Sequence, residues 1–229
     1  MDTRFWGPDG WHLLHSIAYK YPSNPNKTTK QKYKRFFNSL AYVLPCVYCR
    51  NSLQRFYKEL PIENSLHNNE ALFEWLYEIH NKVNNKLTKQ GFTSKPNPKL
   101  DKVKKFYKKY VKQNDKLCSE HPGVIFIYSI IFNYPLNKTD FKTATRYNNH
   151  ITFLKLLADI YPYNRFQLMY KSQLQVTDLK KILTKRCLFK RWFYNIDKQI
   201  HTQCPSYKKR CKNIELYRAN CKKITCRKS

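Results

Sequence analysis

Apolar side chains recur at three- and four-residue intervals along most of this chain, the spacing of helices that bury one face. Trp11, Leu14, His15, Ala18 and Tyr19 mark a first helix, which Pro22, Ser23, Asn24 and Pro25 end. A second, expected after Thr28, carries Tyr33, Phe36, Phe37, Leu40 and Val43 on one side. Pro45 lacks an N–H and suits the first turn of a further helix, so Cys46 is expected at a helix N-terminus. From Asn69, the positions Leu72, Phe73, Leu76, Ile79, Val83 and Leu87 predict a long amphipathic helix, ended by Gly91 and Lys95-Pro96-Asn97-Pro98. His80 and Asn84 stand four apart on it and share a face. A fifth helix, Leu100 to Val111, is expected to turn Val103, Phe106, Tyr107 and Tyr110 inward and its lysines outward.

Beyond Cys118 and Pro122 the pattern stays helical. Gly123 to Pro135 aligns with Gly10 to Pro22 at an offset of 113, matching Ser129 with Ser16, Ile130 with Ile17, and Tyr134-Pro135 with Tyr21-Pro22. At an offset of 114, Tyr147, Ile151 and Leu154 fall on Tyr33, Phe37 and Leu40, and Tyr161-Pro162 stands about where Leu44-Pro45 does. Two readings are open: a degenerate second copy without its cysteines, or chance recurrence of Tyr-Pro helix ends in a chain rich in both residues. Trp192, Ile196 and Ile200 then keep helical spacing ahead of Cys204, Cys211, Cys221 and Cys226. The expected organisation is all-α, with one domain over 1–115 and a second helical domain with a basic, cysteine-bearing tail over 116–229.

Composition agrees with helices, since only four glycines in 229 residues do not supply the turns of a β-rich fold. The formal charge of +29 admits attraction to nucleic acid or acidic surfaces. Without a recognised nucleic-acid fold it reads better as a solvated Lys-rich surface, and nucleic acid is not an expected partner. The stretch Val124 to Phe132 is shorter than the roughly 20 residues of a membrane span, so no membrane insertion is expected. Met1 to Pro8 shows no basic-then-apolar leader, which places the chain, as an expectation, on the cytoplasmic side of the host cell, in a viral factory or virion, and not secreted. Eight cysteines without an export signal then point to catalytic thiols or metal ligands rather than structural disulfides.

The pair Cys46 and Cys49 is the strongest candidate for chemistry. Two cysteines spaced this way at a helix start can close into a reducible disulfide, and the helix N-terminus favours a thiolate. Cys46, the more N-terminal, is expected to be the more exposed. A lone pair of this spacing is weak by itself, because half a zinc site has the same pattern.

Its surroundings are more specific. Trp6-Gly7, Trp11-His12-Leu13-Leu14-His15, Tyr21-Pro22, Leu44-Pro45-Cys46-Val47-Tyr48-Cys49 and His80-Asn81-Lys82-Val83-Asn84-Asn85-Lys86-Leu87 occur in the order and rough spacing of the ERV/ALR family. Residues 5–112 thus resemble FAD-linked sulfhydryl oxidases, in particular those of large DNA viruses. The resemblance implies a four-helix bundle plus a short fifth helix, FAD in its mouth, and a homodimer through the first two helices. It implies that Cys49 lies against the flavin while Cys46 exchanges disulfides with protein dithiol substrates, molecular oxygen being the final acceptor and hydrogen peroxide the product. The implied FAD-binding residues are Gly7, Trp11, His15, Tyr19, Cys49, Trp75, His80, Asn81, Val83, Asn84, Lys86 and Lys95. Cys204, Cys211, Cys221 and Cys226 are candidates for a shuttle pair, with structural disulfides and a zinc site as alternatives; no metal is expected.

The chain departs from the family where many members read Gly-Arg-x-x-Trp, having Gly7-Pro8-Asp9-Gly10-Trp11 instead. Many also carry a second disulfide after the His-Asn motif, and here Cys118 follows with no evident mate. Two rival functions belong to other classes. A zinc-stabilised basic nucleic-acid-binding module leaves the Trp and His motifs unexplained, and a thioredoxin-like reductase needs a βαβ pattern that is not present.

Overall fold

Asparagine side chains start two of the helices that build the site. The Asn26 carboxamide accepts the Thr29 N–H at 2.8 Å and Asn68 accepts that of Ala71 at the same distance, each satisfying one of the donors that a helix leaves unpaired at its start. A computed structural model describes residues 3–92, 96–116, 122–134, 141–201 and 203–219. The first half contains α1 (Thr3–Tyr19), α2 (Lys27–Val43), α3 (Val47–Glu59), a 3₁₀ turn (Ile62–Ser65), α4 (Asn69–Lys89) and α5 (Leu100–Lys116). The second contains α6 (Val124–Phe132), α7 (Phe141–Ile160), α8 (Asn164–Gln175), the single turn α9 (Leu179–Ile182), α10 (Arg186–Ile200) and α11 (Tyr207–Ala219). Among the described residues there is no strand, so the all-α expectation holds, and no helix is long and apolar enough to cross a membrane.

In the first half α1 packs on α4 and α5, α2 on α3, and α3 on α4. Leu13, Ile17, Phe36, Phe37, Leu72, Leu76 and Ile79 meet at its centre, all but inaccessible to water. Burying a side chain of this size stabilises a fold by roughly 1.5–3 kcal/mol. The same apolar cluster continues through α6, α7, α8 and α10, because α1 packs against α6 and α2 against α7. Phe36 stacks on Phe153 across the α2–α7 contact, with ring centroids 5.6 Å apart.

The first helix itself extends back to Thr3, two turns before Trp11, and carries Pro8 in its second turn at the loss of one helical hydrogen bond. Two local expectations are corrected. Pro45 precedes the N-cap of α3 rather than occupying its first turn, because Cys46 itself takes the cap. Phe106 is half exposed on α5, where Tyr107 and Val111 carry the buried edge. Position 106 is thus turned off that edge by the 3.6-residue period.

Candidate functional site

A cavity of about 480 Å³ opens among α1, α3 and α4. Helical periodicity builds its walls. On α3, Ser52 and Leu53 stand three and four residues after Cys49, and four and three before Phe56, so one face of the helix lines the space. On α4, Leu76, Ile79, His80, Val83 and Lys86–Leu87 do the same, and α1 adds Trp6, Gly7, Trp11 and Leu14. Phe126 reaches the cavity from α6. The wall is chiefly apolar, with a few polar groups at fixed places, as ligand pockets generally are.

The cysteine pair lies at the start of α3. Cys46 is the N-cap, and its sulfur accepts the Cys49 N–H at 3.4 Å. Both sulfur-bearing residues line the cavity. The exposure order is the reverse of the sequence expectation: Cys46 is 3% exposed and Cys49 half-buried. Capping explains this, since a side chain that turns back over its own helix start is covered by that turn. Arg50, which the motif reading passed over, donates from Nη1 to the Leu44 carbonyl at 2.7 Å. Burial lowers its pKa, while the sulfurs of Cys46 and Cys49 act in the opposite direction, so a guanidinium charge stands close to the pair.

Two imidazoles connect α1 to α4. His15 Nε2 is 3.3 Å from His80 Nδ1, and the indole of Trp11 stacks on His80 at 3.9 Å between centroids. Burial depresses both histidines, His15 well below its ordinary value and His80 to about 4, with repulsion from neighbouring imidazoles adding to it. Both rings are therefore neutral near pH 7, and one donates to the other. Tyr107 stacks on His15 from α5 at 4.7 Å.

At the other end, Lys86 Nζ donates to Ser52 Oγ at 2.7 Å and Asn84 donates to Asn97 Oδ1 at 3.0 Å. Arg4 also lines the space. The indole N–H of Trp6, in the cavity wall, is buried with no hydrogen-bond partner among the described residues, as is Nδ1 of His15. An unpaired buried donor in an apolar cavity fits a bound group that carries acceptor atoms.

The cavity brings together Gly7, Trp11, Cys46, Cys49, His80, Val83, Asn84 and Lys86 of the sequence candidates. His15 stands behind His80 rather than on the wall. Trp75 is turned into the core between Phe37 and Tyr57, its N–H donated to the Leu60 carbonyl at 2.9 Å. Tyr19 borders a separate shallow cleft with Phe73 and Lys104, and Asn81 is outside the wall. Lys95, Cys118, Cys221 and Cys226 lie outside the described residues. Cys204 and Cys211 are half-buried in the second half, away from the cavity lining. Among the described residues no group of three or more His, Cys, Asp or Glu is arranged to hold a metal ion. Trp6 and Leu14 stand in the quoted motifs but outside the implied FAD-binding set, and Arg50, Ser52, Leu53 and Phe56 stand outside both, although the α3 residues follow from stepping along the helix from Cys49.

Comparison with known proteins bears on the same segment. Residues 8–109 match the Erv1/Alr family model. A protein of Acanthamoeba polyphaga mimivirus named "Probable FAD-linked sulfhydryl oxidase" is 40% identical over 85 residues, covering 37% of this chain and 59% of that protein. The mitochondrial FAD-linked sulfhydryl oxidase of Saccharomyces cerevisiae is 35% identical over 91 residues, 40% of this chain and 47% of its own. An African swine fever virus FAD-linked sulfhydryl oxidase is 33% identical over 87 residues, 37% of this chain and 70% of its own. The chain thus spans about half of the yeast relative and rather more of the mimivirus one.

Proposed function

The chain belongs to the Erv1/Alr family, and from that premise we propose that it is a FAD-dependent sulfhydryl oxidase that forms disulfides in protein substrates. The observation that carries this reading is the alignment of Cys49 with Ser52, Leu53 and Phe56 on the α3 face that walls the cavity. A redox sulfur on the wall of an apolar cavity, whose wall also holds a Trp6 N–H unpaired among the described residues, fits a bound flavin, which the protein must orient and surround. Trp11, His80, Val83 and Asn84 would hold the cofactor, and Lys86 and Arg4 bring positive charge suited to its phosphates. When bound, FAD supplies a two-electron acceptor that delivers its electrons to oxygen and yields hydrogen peroxide.

The chain's own part is disulfide exchange. A substrate thiolate attacks the Cys46 sulfur of the Cys46–Cys49 disulfide, a step that requires the turn covering Cys46 to move aside; a mixed disulfide forms as the original S–S bond breaks, and Cys49 leaves as a thiolate. A second substrate thiolate attacks the substrate sulfur of that mixed disulfide, releasing Cys46 and an oxidised substrate. Two electrons then reside on the Cys46–Cys49 dithiol. Arg50 brings a fixed positive charge to the thiolates as they form. Leu14, Leu53, Phe56 and Ile79 keep water away from the cavity side of Cys49.

Purification tests the reading. The protein should be yellow, release FAD on denaturation and consume oxygen with dithiothreitol. Cys49→Ser should keep the flavin and lose turnover. A colourless protein that takes up no added FAD, or a Cys49→Ser variant with full turnover, rejects it.

A further inference from the structure

The two halves repeat one arrangement of helices. Where α1 packs on α4 and α5, α6 packs on α10 and α11; where α2 packs on α3, α7 packs on α8; where α3 meets α4, α8 meets α10. Even the short 3₁₀ turn against α4 has its counterpart in α9 against α10.

The correspondence extends to single bonds. His15 meets His80 at 3.3 Å, and at the matching places, 113 and 117 residues further on, Tyr128 donates to Asp197 at 2.7 Å. Trp75 donates its N–H to the carbonyl of Leu60, and Trp192 donates to Oγ1 of Thr177; both members lie 117 residues further on. Tyr107 covers His15, as Arg210 covers Tyr128. Cys46 is the N-cap of α3, and Tyr163, again 117 later, is the N-cap of α8. Chance recurrence of Tyr-Pro helix ends does not produce matched tertiary hydrogen bonds.

The halves also meet in a two-fold manner. A Cβ placed on Gly10 would stand 2.9 Å from the ring of Phe126, and one placed on Gly123 would overlap the side chain of Leu13. Gly123 and Phe126 are the positions 113 after Gly10 and Leu13. Each glycine therefore receives the residue three positions beyond its counterpart, which is the reciprocal contact that defines an isologous interface. In an ordinary dimer two chains make such a contact.

The second copy holds no equivalent of the cysteine pair. Tyr163 and Phe166 stand at the positions of Cys46 and Cys49; Phe166 is fully buried and stacked on Tyr161 at 3.8 Å. Asp197, in place of His80, is bound by Tyr128, His201 and Arg210. Polar groups that border open space in the first half are closed on one another here.

We propose that residues 122–219 are a degenerate copy docked on the first half by an internal two-fold axis. This copy acts as a dimer partner in cis: it covers the face of α1 and α2 that a second chain would otherwise take, and it completes the working cavity with Phe126. The protein is accordingly a monomer with one site. Phe126 packs against Trp6 at 5.7 Å between centroids and lines the cavity from the far side of α1. Asp9 fixes it there, accepting the N–H groups of Gly123 at 2.7 Å and Phe126 at 3.0 Å and so capping α6 from the first half. The second half thus retains a positioning role after losing its own sulfur chemistry.

Sedimentation equilibrium of the full chain tests the docking without reference to any cofactor. A single 27.8 kDa species across micromolar concentrations is expected, and a species of twice that mass overturns the proposal. The part played by Phe126 rests on the flavin reading and is measured separately, by titrating FAD into Phe126→Leu and Phe126→Ala. The dissociation constant should rise about threefold and about tenfold respectively, as the contact is progressively removed, with a shift in the visible absorption of the bound flavin. A folded Phe126→Ala protein with unchanged affinity and spectrum overturns the assignment, and so does binding of two FAD per chain. If the unaltered chain binds no FAD, the functional reading fails while the measured mass still decides the docking.

Discussion

His15 Nε2 and His80 Nδ1 face each other across α1 and α4 at 3.3 Å, both held in the neutral form by burial. The sign of the pH effect follows. In the unfolded chain each histidine binds a proton below about pH 6.5, whereas in the folded chain His80 does so only near 4. Between those values the unfolded state carries more protons, so stability is intact above 6.5 and falls as pH drops toward 4. Each histidine contributes a slope of up to about 1.4 kcal/mol per pH unit. Urea unfolding at pH 7 and pH 5 should show this loss, and His80→Asn should reduce it; equal stability at the two values would falsify the neutral pair. Buried His150, depressed to about 3, adds to the same trend and leaves a remainder in the variant.

Cys46 is covered by its own capping turn, and Cys49 is half-buried. With the pair reduced, iodoacetamide should modify Cys49 about tenfold faster than Cys46, because access controls thiol reactivity alongside thiolate content. Peptide mass spectrometry of partly alkylated protein distinguishes the two. Faster labelling of Cys46 would mean that the first turn of α3 opens in solution.

Trp75, one of the FAD-binding residues that the family resemblance implies, faces the core, with its N–H on the Leu60 carbonyl. Trp75→Phe should therefore lower stability by about 1–2 kcal/mol through the lost hydrogen bond and ring volume. FAD affinity of the folded fraction should stay as it was. A large loss of affinity with unchanged melting temperature would instead put Trp75 in the binding wall.

Gly123 holds φ at +95° directly over Leu13. Gly123→Ala meets both backbone strain and a side-chain overlap, and should cost about 2–3 kcal/mol. Thermal unfolding reads the change; an alanine there without effect would show that α1 and α6 are not held in this contact.

Asp197 is wholly buried, and Arg210 nearly so. His201 and Arg210 hold the Asp197 carboxyl below its usual range against the opposing effect of burial. Arg210→Met removes the cation and leaves a buried carboxylate, so a loss of about 3–5 kcal/mol is expected. Asp197→Asn combined with Arg210→Met should recover part of it, since no uncompensated charge then stays inside.

Much of this molecule was legible in its sequence because the cues are local. The 3.6-residue recurrence of Leu72, Leu76, Ile79 and Val83 defines α4 whatever surrounds it, and proline and glycine mark its end. Cys46, Cys49, Trp11 and His80 could be read together because their types and order are written in one dimension. Phe106 shows the limit: an aromatic residue on a lysine-rich helix faces inward or outward by a small rotation that only its neighbours settle.

The repeat of Gly10 to Pro22 at Gly123 to Pro135 was likewise visible, but with its meaning open. Sequence alone determined the helices, the sulfur pair and the motif positions, all consequences of short-range periodicity and residue chemistry. Tertiary structure decided that Trp75 and Tyr19 leave the cavity, that Cys46 is covered, and that Phe126 enters from a helix more than a hundred residues away. Those outcomes depend on which helix faces meet, and that choice minimises exposed apolar surface over the whole chain rather than within any segment of it.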